Sequence, residues 1–146
     1  MTLPTHLMTG LILGKLTGNY SLSVAGALLV DIDHLLSYAK NGLLLKPKEF
    51  FKTVFAQDDQ YGDQRYFLHN VFVFILISGI VYIIDNKIGF ILGIAYFSHL
   101  ILDALDNSDY FPFFPNKKIN IRGPIGYFSK QEFFIILLLV IIFYLV

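Results

Sequence analysis

The chain has 146 residues, of which 55% are hydrophobic and only 15% are charged, whereas about 25% charged is usual in soluble domains. Its formal net charge is zero, so nothing in the composition indicates a nucleic-acid partner. It contains no cysteine, which excludes disulfides and thiolate metal sites.

Uncharged, apolar blocks predict an all-α, integral-membrane bundle of about five helices that forms a single domain over residues 1–146. In chain order, the predicted helices cover residues 3–16, 21–38, 66–84, 88–105 and 133–146. A spanning helix needs roughly 20 mainly apolar residues, and several of these blocks are shorter. A soluble domain of this size would have too little polar surface to cover five such blocks, so a membrane protein is favoured over a helical protein with a buried core.

Smaller features refine this bundle. Gly10, Gly14 and Gly18 are spaced by four, which predicts close approach of another helix. Residues 47–55 predict a short amphipathic helix on the membrane surface, and the aromatic, proline-containing loop 107–132 suits the bilayer interface.

Basic residues indicate the orientation in the inner (cytoplasmic) membrane. If all five helices span, the loops alternate sides, and the side that holds the N-terminus carries nine basic residues: Lys40, Lys46, Lys48, Lys52, Arg65, Lys117, Lys118, Arg122 and Lys130. The other side carries only Lys15 and Lys87. The positive-inside rule therefore predicts a multi-pass protein with its basic side in the cytoplasm.

Polar residues within the apolar blocks are the candidate functional groups. His99 and Asp103 share one helix face because they are four residues apart. In the alternating topology all four histidines lie near the same membrane face, so residues that are distant in sequence can converge there on a polar metal site. A His–Asp ion pair without a metal is the alternative, and His69 can also be an ordinary bundle histidine.

The segment DIDH carries two aspartates that an ideal helix would point to nearly opposite sides. Both serve one site only if the helix ends or bends there, or if two metals lie side by side. Asp33 is the preferred metal ligand. Asp31 is expected either to bridge two metal ions or to support the ligands from behind. His34 is expected to support the site or lie at the interface, and Asp106 is expected to lie in water.

Imidazole and carboxylate groups without thiolate suit zinc, manganese or iron(II). Three histidines with up to three aspartates exceed one tetrahedral shell, so one or two divalent transition-metal ions are expected, zinc before the others. Arg65 precedes His69 by one turn and is expected to stabilise negative charge on a substrate, with a membrane-interface anchor as the alternative.

Four motifs together resemble the YdjM-like family of membrane-bound metal-dependent hydrolases, also called DUF457. They are THLMTG (5–10), DIDH (31–34), QRYFLHN (64–70) and SHLILDAL (98–105), the last followed by FPFFP (111–115). The resemblance covers nearly the whole chain and implies these metal ligands: His6, Asp31, Asp33, His69, His99 and Asp103. Departures from the family pattern include Val30 in place of proline and Gln64 in place of histidine. The family's suspected kinship with zinc-dependent phospholipase C and P1-type nucleases implies phosphoester hydrolysis.

The predicted function is a membrane-bound metal-dependent hydrolase that acts on a phosphoester or lipid-linked substrate through a metal-activated water. Asp31 and Arg65 are its predicted catalytic residues, and the lipid bilayer is its expected partner. One alternative is a non-catalytic membrane protein with a structural metal site and a cytoplasmic partner-binding surface. Another is a metal or proton transporter, which is ranked third because the far halves of the helices offer few polar groups.

Overall fold

Residues 1–56, 65 and 67–146 are described by the computed structural model, and the described part of the chain is helical without any strand. It contains seven α-helices: α1 (Leu3–Thr17), α2 (Tyr20–Leu28), α3 (Ile32–Lys40), α4 (Pro47–Val54), α5 (Val71–Ile84), α6 (Asn86–Leu105) and α7 (Lys130–Leu145). Two 3-10 turns, Leu29–Asp31 and Leu43–Leu45, join successive helices. The predicted all-α class is confirmed, and the helices predicted at 3–16, 47–55, 88–105 and 133–146 agree with the observed ones within three residues.

The predicted helix 21–38 is broken near its middle. The turn Leu29–Asp31 separates α2 from α3, and the amide of Ile32 donates to the carbonyls of both Leu29 and Val30. This winding is tighter than that of an α-helix, so it changes the directions in which the following side chains point. The break therefore meets the condition under which Asp31 and Asp33 can both approach one site.

The predicted helix 66–84 begins later than expected, at Val71. Asn70 is its N-cap, and the Asn70 side chain accepts a hydrogen bond from the amide of Phe72. Residues 67–69 lie outside the helix. Tyr66, where the helix was predicted to begin, and Gln64 of the motif QRYFLHN lie outside the described residues. His69 is therefore in an irregular segment rather than on a helix.

Close helix packing at the predicted glycine stripe is confirmed for two of its three members. A Cβ at Gly10 would lie 3.0 Å from the Ala27 Cβ, and a Cβ at Gly14 would lie 2.7 Å from the Tyr20 ring. Gly18 was expected to join this stripe, but it has nothing within 4 Å. It ends α1 with a φ of 70°, a left-handed conformation that favours glycine.

Helix α6 is the centre of the fold. It packs against α2, where a Cβ at Gly26 would lie 2.8 Å from the Ala95 Cβ, and it also contacts α1 and α5. A small apolar core forms around its inner side from Val30, Tyr96, Leu100 and Tyr110. This packing brings the Leu29–Asp31 turn close to the last turns of α6.

In the described part of the chain, two helical segments are long and apolar enough to cross a membrane, Tyr20–Lys40 and Asn86–Leu105, and Val71–Ile84 is a shorter apolar helix. Large apolar side chains are widely exposed on the outside of the bundle, for example Ile83 and Leu145. Such a continuous apolar exterior is unusual for a water-soluble monomer.

Candidate metal centre

Side chains from α6 and from the segment before α5 meet at one end of the bundle. His69 Nε2 lies 3.3 Å from His99 Nε2. Asp103 Oδ2 lies 3.1 Å from His69 Nε2 and 3.5 Å from His99 Nε2. These three atoms form a nearly equilateral triangle, and all three side chains are buried.

Asp31 approaches the same triangle from the Leu29–Asp31 turn. Its Oδ1 lies 3.6 Å from His99 Nε2 and 3.9 Å from His69 Nε2. In a tetrahedral zinc site with bonds of about 2.0–2.1 Å, neighbouring ligand atoms are roughly 3.3 Å apart. The edges of the triangle, 3.1 to 3.5 Å, and its nitrogen-and-oxygen composition therefore suit three ligands of a tetrahedral transition metal, whereas Asp31 shares no ligand group with Asp103 in the described residues.

His6 is fully buried beside this set. Its ring stacks on the His99 ring with centroids 3.8 Å apart, and its Nε2 lies 3.3 Å from Asp103 Oδ1. Apart from this contact with Asp103, neither ring nitrogen of His6 has a hydrogen-bond partner within the described residues. A buried polar group without a partner is costly, and a cation held here would supply one.

Both imidazoles of the triangle are fixed through their other nitrogen. His69 Nδ1 lies 3.2 Å from Asp33 Oδ2, and His99 Nδ1 lies 2.7 Å from the Ala27 carbonyl oxygen. In the tautomer with the proton on Nδ1, each ring donates to an oxygen and turns Nε2 toward the cluster. Metal-binding histidines usually have this kind of support from a carboxylate or a backbone carbonyl.

The structure places the two aspartates differently from the expectation. Asp33 Oδ2 accepts from the amide of Leu68 as well as lying against His69 Nδ1, and Asp33 joins none of the possible ligand groups found in the described residues. Asp31 belongs to two such groups, one with His6 and His99 and one with His34 and His69. The reason is the 3-10 turn, which directs Asp31 into the cluster and leaves Asp33 behind His69. The assignment of metal ligands stays a prediction.

His34, expected to support the site, contacts Asp31. Its Nε2 lies 3.3 Å from Asp31 Oδ1. The side chains of Asp31 and His34 are 20% and 27% exposed, whereas His6, His69 and His99 are sealed. The cluster is therefore open on the side of this pair.

Arg65 faces carboxylates rather than open space. Its Nε lies 3.1 Å from Asp103 Oδ2, and its Nη2 lies 3.7 Å from Asp106 Oδ1. The amino group of Met1 contacts the same two aspartates, at 2.7 Å from Asp103 and 3.1 Å from Asp106. The positive charges thus offset the two buried negative charges at the end of α6.

Asp106 was expected to lie in water, and this expectation is wrong, because the side chain is fully buried. The chain folds back over it, and the amide of Gly123 donates to the Asp106 carbonyl at 2.7 Å. Burial alone would raise the pKa of Asp106, but the amino group of Met1 and the guanidinium of Arg65 outweigh it and lower that pKa below its ordinary value.

Glu132 is a buried acid that the sequence reasoning missed. Its Oε1 accepts from the Thr2 amide at 2.6 Å and from the Thr5 hydroxyl at 2.9 Å, which ties α7 to the first turn of α1 beside His6. The pattern Ser129-x-x-Glu132 is a capping-box signal for the start of α7. That signal marks the helix start, but it does not reveal the contact with α1.

The family model that matches the chain is that of the YdjM inner membrane protein, and the match covers residues 1–146. Comparison with curated proteins and with solved structures gave no match. The family match agrees with the apolar helices and confirms the expected membrane location. The chain therefore belongs to the YdjM inner membrane protein family.

Proposed function

We propose that this membrane protein is a metal-dependent hydrolase in which His69, His99 and Asp103 bind one divalent transition-metal ion, zinc in the first place, with Asp31 on the open side of the site. The observation that carries the proposal is the triangle of His69, His99 and Asp103, with edges of 3.1 to 3.5 Å. His6 supports it, because its fully buried imidazole contacts the Asp103 carboxylate through Nε2, and its Nδ1 has no hydrogen-bond partner within the described residues. A second ion, on the side of Asp31 and His34, belongs to the same proposal.

A metal bound here would polarise a phosphoryl or acyl oxygen and lower the pKa of a water molecule. The residues of the chain supply the rest. Asp33 and the Ala27 carbonyl orient the two imidazoles, and Arg65 holds Asp103. On the open side of the cluster, Asp31 and His34 lie 3.3 Å apart, and this pair would accept the proton that a bound water releases.

The substrate class we propose is a phosphoester, carried by a lipid or linked to one. Support comes from the position of the cluster, which lies at the end of α6, a helix long and apolar enough to span a membrane. That end corresponds to the depth of lipid headgroups, where phosphoester groups are found. Asp31 and His34, the exposed members, provide the side from which a headgroup can enter.

Metal analysis of the purified protein tests this proposal. We expect at least one zinc, manganese or iron ion per wild-type chain, and none in the double variant His99→Ala with Asp103→Ala. The variant Asp109→Ala removes a carboxylate from an exposed loop and should keep the wild-type metal content. A wild-type protein without bound transition metal, or an unchanged content in the double variant, would reject the metal centre.

A second candidate is a non-catalytic membrane protein in which the metal locks the helices together and the cytoplasmic loops bind a partner. It is favoured by the burial of His6, His69, His99 and Asp103, because structural metal sites are closed whereas catalytic sites keep an open position. Arg65 also favours it, since its guanidinium lies against Asp103 and Asp106. A phosphoesterase and phospholipid screen with zinc or manganese distinguishes the two. No turnover, together with unfolding on metal removal, would select the structural role.

We also propose that the chain crosses the membrane several times with the cluster toward the cytoplasm. The chain has no cysteine, so single introduced cysteines report position without background. In intact cells, a membrane-impermeant maleimide should label Lys87→Cys, at the opposite end of α6 from the cluster. Lys118→Cys should be labelled only after the inner membrane is opened. The reverse pattern would place the cluster outside.

A further inference from the structure

We infer that Tyr96 and Tyr110 are positioning residues for His69, acting through the main chain of the irregular segment that carries it. The inference rests on the proposed function, because it treats His69 as a metal ligand. Neither tyrosine belongs to the motifs that predict the metal centre, and neither is a ligand in this proposal.

The carbonyls of Leu68 and His69 are not used by α5. The first amides of α5 find other acceptors, since Phe72 donates to the Asn70 side chain and Phe74 donates to the Asn70 carbonyl at 2.9 Å. Instead, the hydroxyl of Tyr96 donates to the Leu68 carbonyl, and the hydroxyl of Tyr110 donates to the His69 carbonyl at 2.9 Å.

Asp33 fixes the same two residues from the other side. Its Oδ2 accepts from the Leu68 amide at 2.7 Å and contacts His69 Nδ1 at 3.2 Å. Four polar groups of the Leu68–His69 pair are thus held by side chains from three places: α3, α6 and the loop after α6. A segment without helical hydrogen bonds gains a defined position in this way.

The tyrosines also connect the segment that carries His69 to the helix that carries His99 and Asp103. Tyr96 lies on α6 three residues before His99, so its hydroxyl ties the segment of His69 to the helix that carries the other two members of the triangle. The contact of 3.3 Å between the two Nε2 atoms depends on that connection. A ligand displaced by even a fraction of an ångström from its place binds metal less tightly.

The hydroxyl groups can be removed without disturbing the packing of the rings. Both rings lie in the apolar core with Val30 and Leu100, and Phe74 packs edge-on against Tyr96 with ring centroids 5.2 Å apart. Phenylalanine fills the same space, but it leaves a buried carbonyl without a donor. The main chain then relaxes toward another partner, and the His69 ring moves with it.

The test uses the full-length purified protein with Tyr96→Phe, Tyr110→Phe and both changes together. Zinc affinity is measured by competition with a chelator, and cobalt(II) replaces zinc so that its visible absorption reports the ligand geometry. We expect the double variant to bind zinc about 10–100-fold more weakly than wild type, the range typical of lost support behind a metal ligand, and to show shifted cobalt bands. The control Tyr82→Phe, with an exposed ring on α5, should match wild type.

The outcomes separate this inference from the proposed function. If wild type binds no metal, the proposed function fails and this inference with it. If wild type binds zinc and the double variant binds it equally well with an unchanged cobalt spectrum, the metal centre stands and only the role of the tyrosines is overturned. A fall in the melting temperature of the metal-free protein without a change in the cobalt spectrum would also overturn it. If the double variant does not fold, the two single variants decide by the same measurements.

Discussion

The two halves of the candidate metal centre are built in different ways. His99 and Asp103 come from adjacent turns of the regular helix α6, whereas His69 and Asp31 come from an irregular segment and a 3-10 turn. The regular pair is placed by helix geometry alone. The irregular pair is placed by contacts from other elements, such as the bond between Asp33 and the Leu68 amide.

This contrast indicates which kind of substitution would disrupt each half. The regular half carries a buried carboxylate, Asp103, whose charge must be balanced by Arg65 and by the amino group of Met1. Its weak point is therefore electrostatic. The irregular half contains His69, whose position depends on its neighbours, so its weak point is the loss of those contacts.

The largest effect is expected from Asp103→Asn in the regular half. Removing one partner from a buried ion pair costs about 3–5 kcal/mol of unfolding free energy, because the other charge is left uncompensated. The variant should also lose bound metal. Chemical denaturation in detergent and metal analysis measure the two effects.

Asp85→Asn is a matched control, since it makes the same change at the other end of α6, where the exposed Asp85 caps the helix. Asparagine caps a helix about as well as aspartate, so this variant should behave as wild type. Equal stability of Asp103→Asn and Asp85→Asn would contradict the ion-pair network at the end of α6.

The sequence predicts the regular half well because helical spacing is a local property. His99 and Asp103 can be placed on one face from their spacing alone, and the apolar block around them predicts α6 to within two residues. For His69, a local signal for the start of the helix is also present in the sequence. Asn70 stands directly before the apolar run, which is a common sign of a helix start, and it would have placed His69 outside α5.

The break at Leu29–Asp31 is not readable from the sequence. Residues 28–32 contain neither glycine nor proline, so the helical pattern continues through them. Val30 instead packs in the core with Tyr96 and Tyr110, which are far away in the chain.

Burial of Asp106 is equally non-local, because it depends on Gly123. A Cβ at Gly123 would lie only 2.0 Å from the Leu105 carbonyl oxygen. Both features come from tertiary contacts, and these decided which aspartate faces the cluster.

An intermediate effect is expected at the contact between α6 and α2, the helix that leads into the turn of Asp31. A Cβ at Gly26 would lie 2.8 Å from the Ala95 Cβ and 3.0 Å from the Leu92 carbonyl oxygen. Gly26→Ala should therefore separate the helices and cost about 1–3 kcal/mol, as overpacking does. Gly79→Ala on α5 has nothing within 4 Å and should instead stabilise the helix by about 0.5–1 kcal/mol. Thermal unfolding of the two variants measures the difference, and a Gly26→Ala variant at least as stable as wild type would show that α2 and α6 are not in close contact.

The smallest effect on stability, yet a clear one on metal binding, is expected from Asp33→Asn in the irregular half. Asparagine still offers an oxygen to the Leu68 amide, so the fold should persist, but it is neutral and supports the His69 imidazole less strongly. Zinc affinity should fall by about 10–100-fold. Ser37→Ala, one turn further along α3, removes a buried hydroxyl that has no hydrogen-bond partner in the described part of the chain, and it should leave the affinity unchanged. If Asp33→Asn instead removed the metal as completely as Asp103→Asn, Asp33 would be a direct ligand, and the division of roles between the two aspartates would have to be reversed.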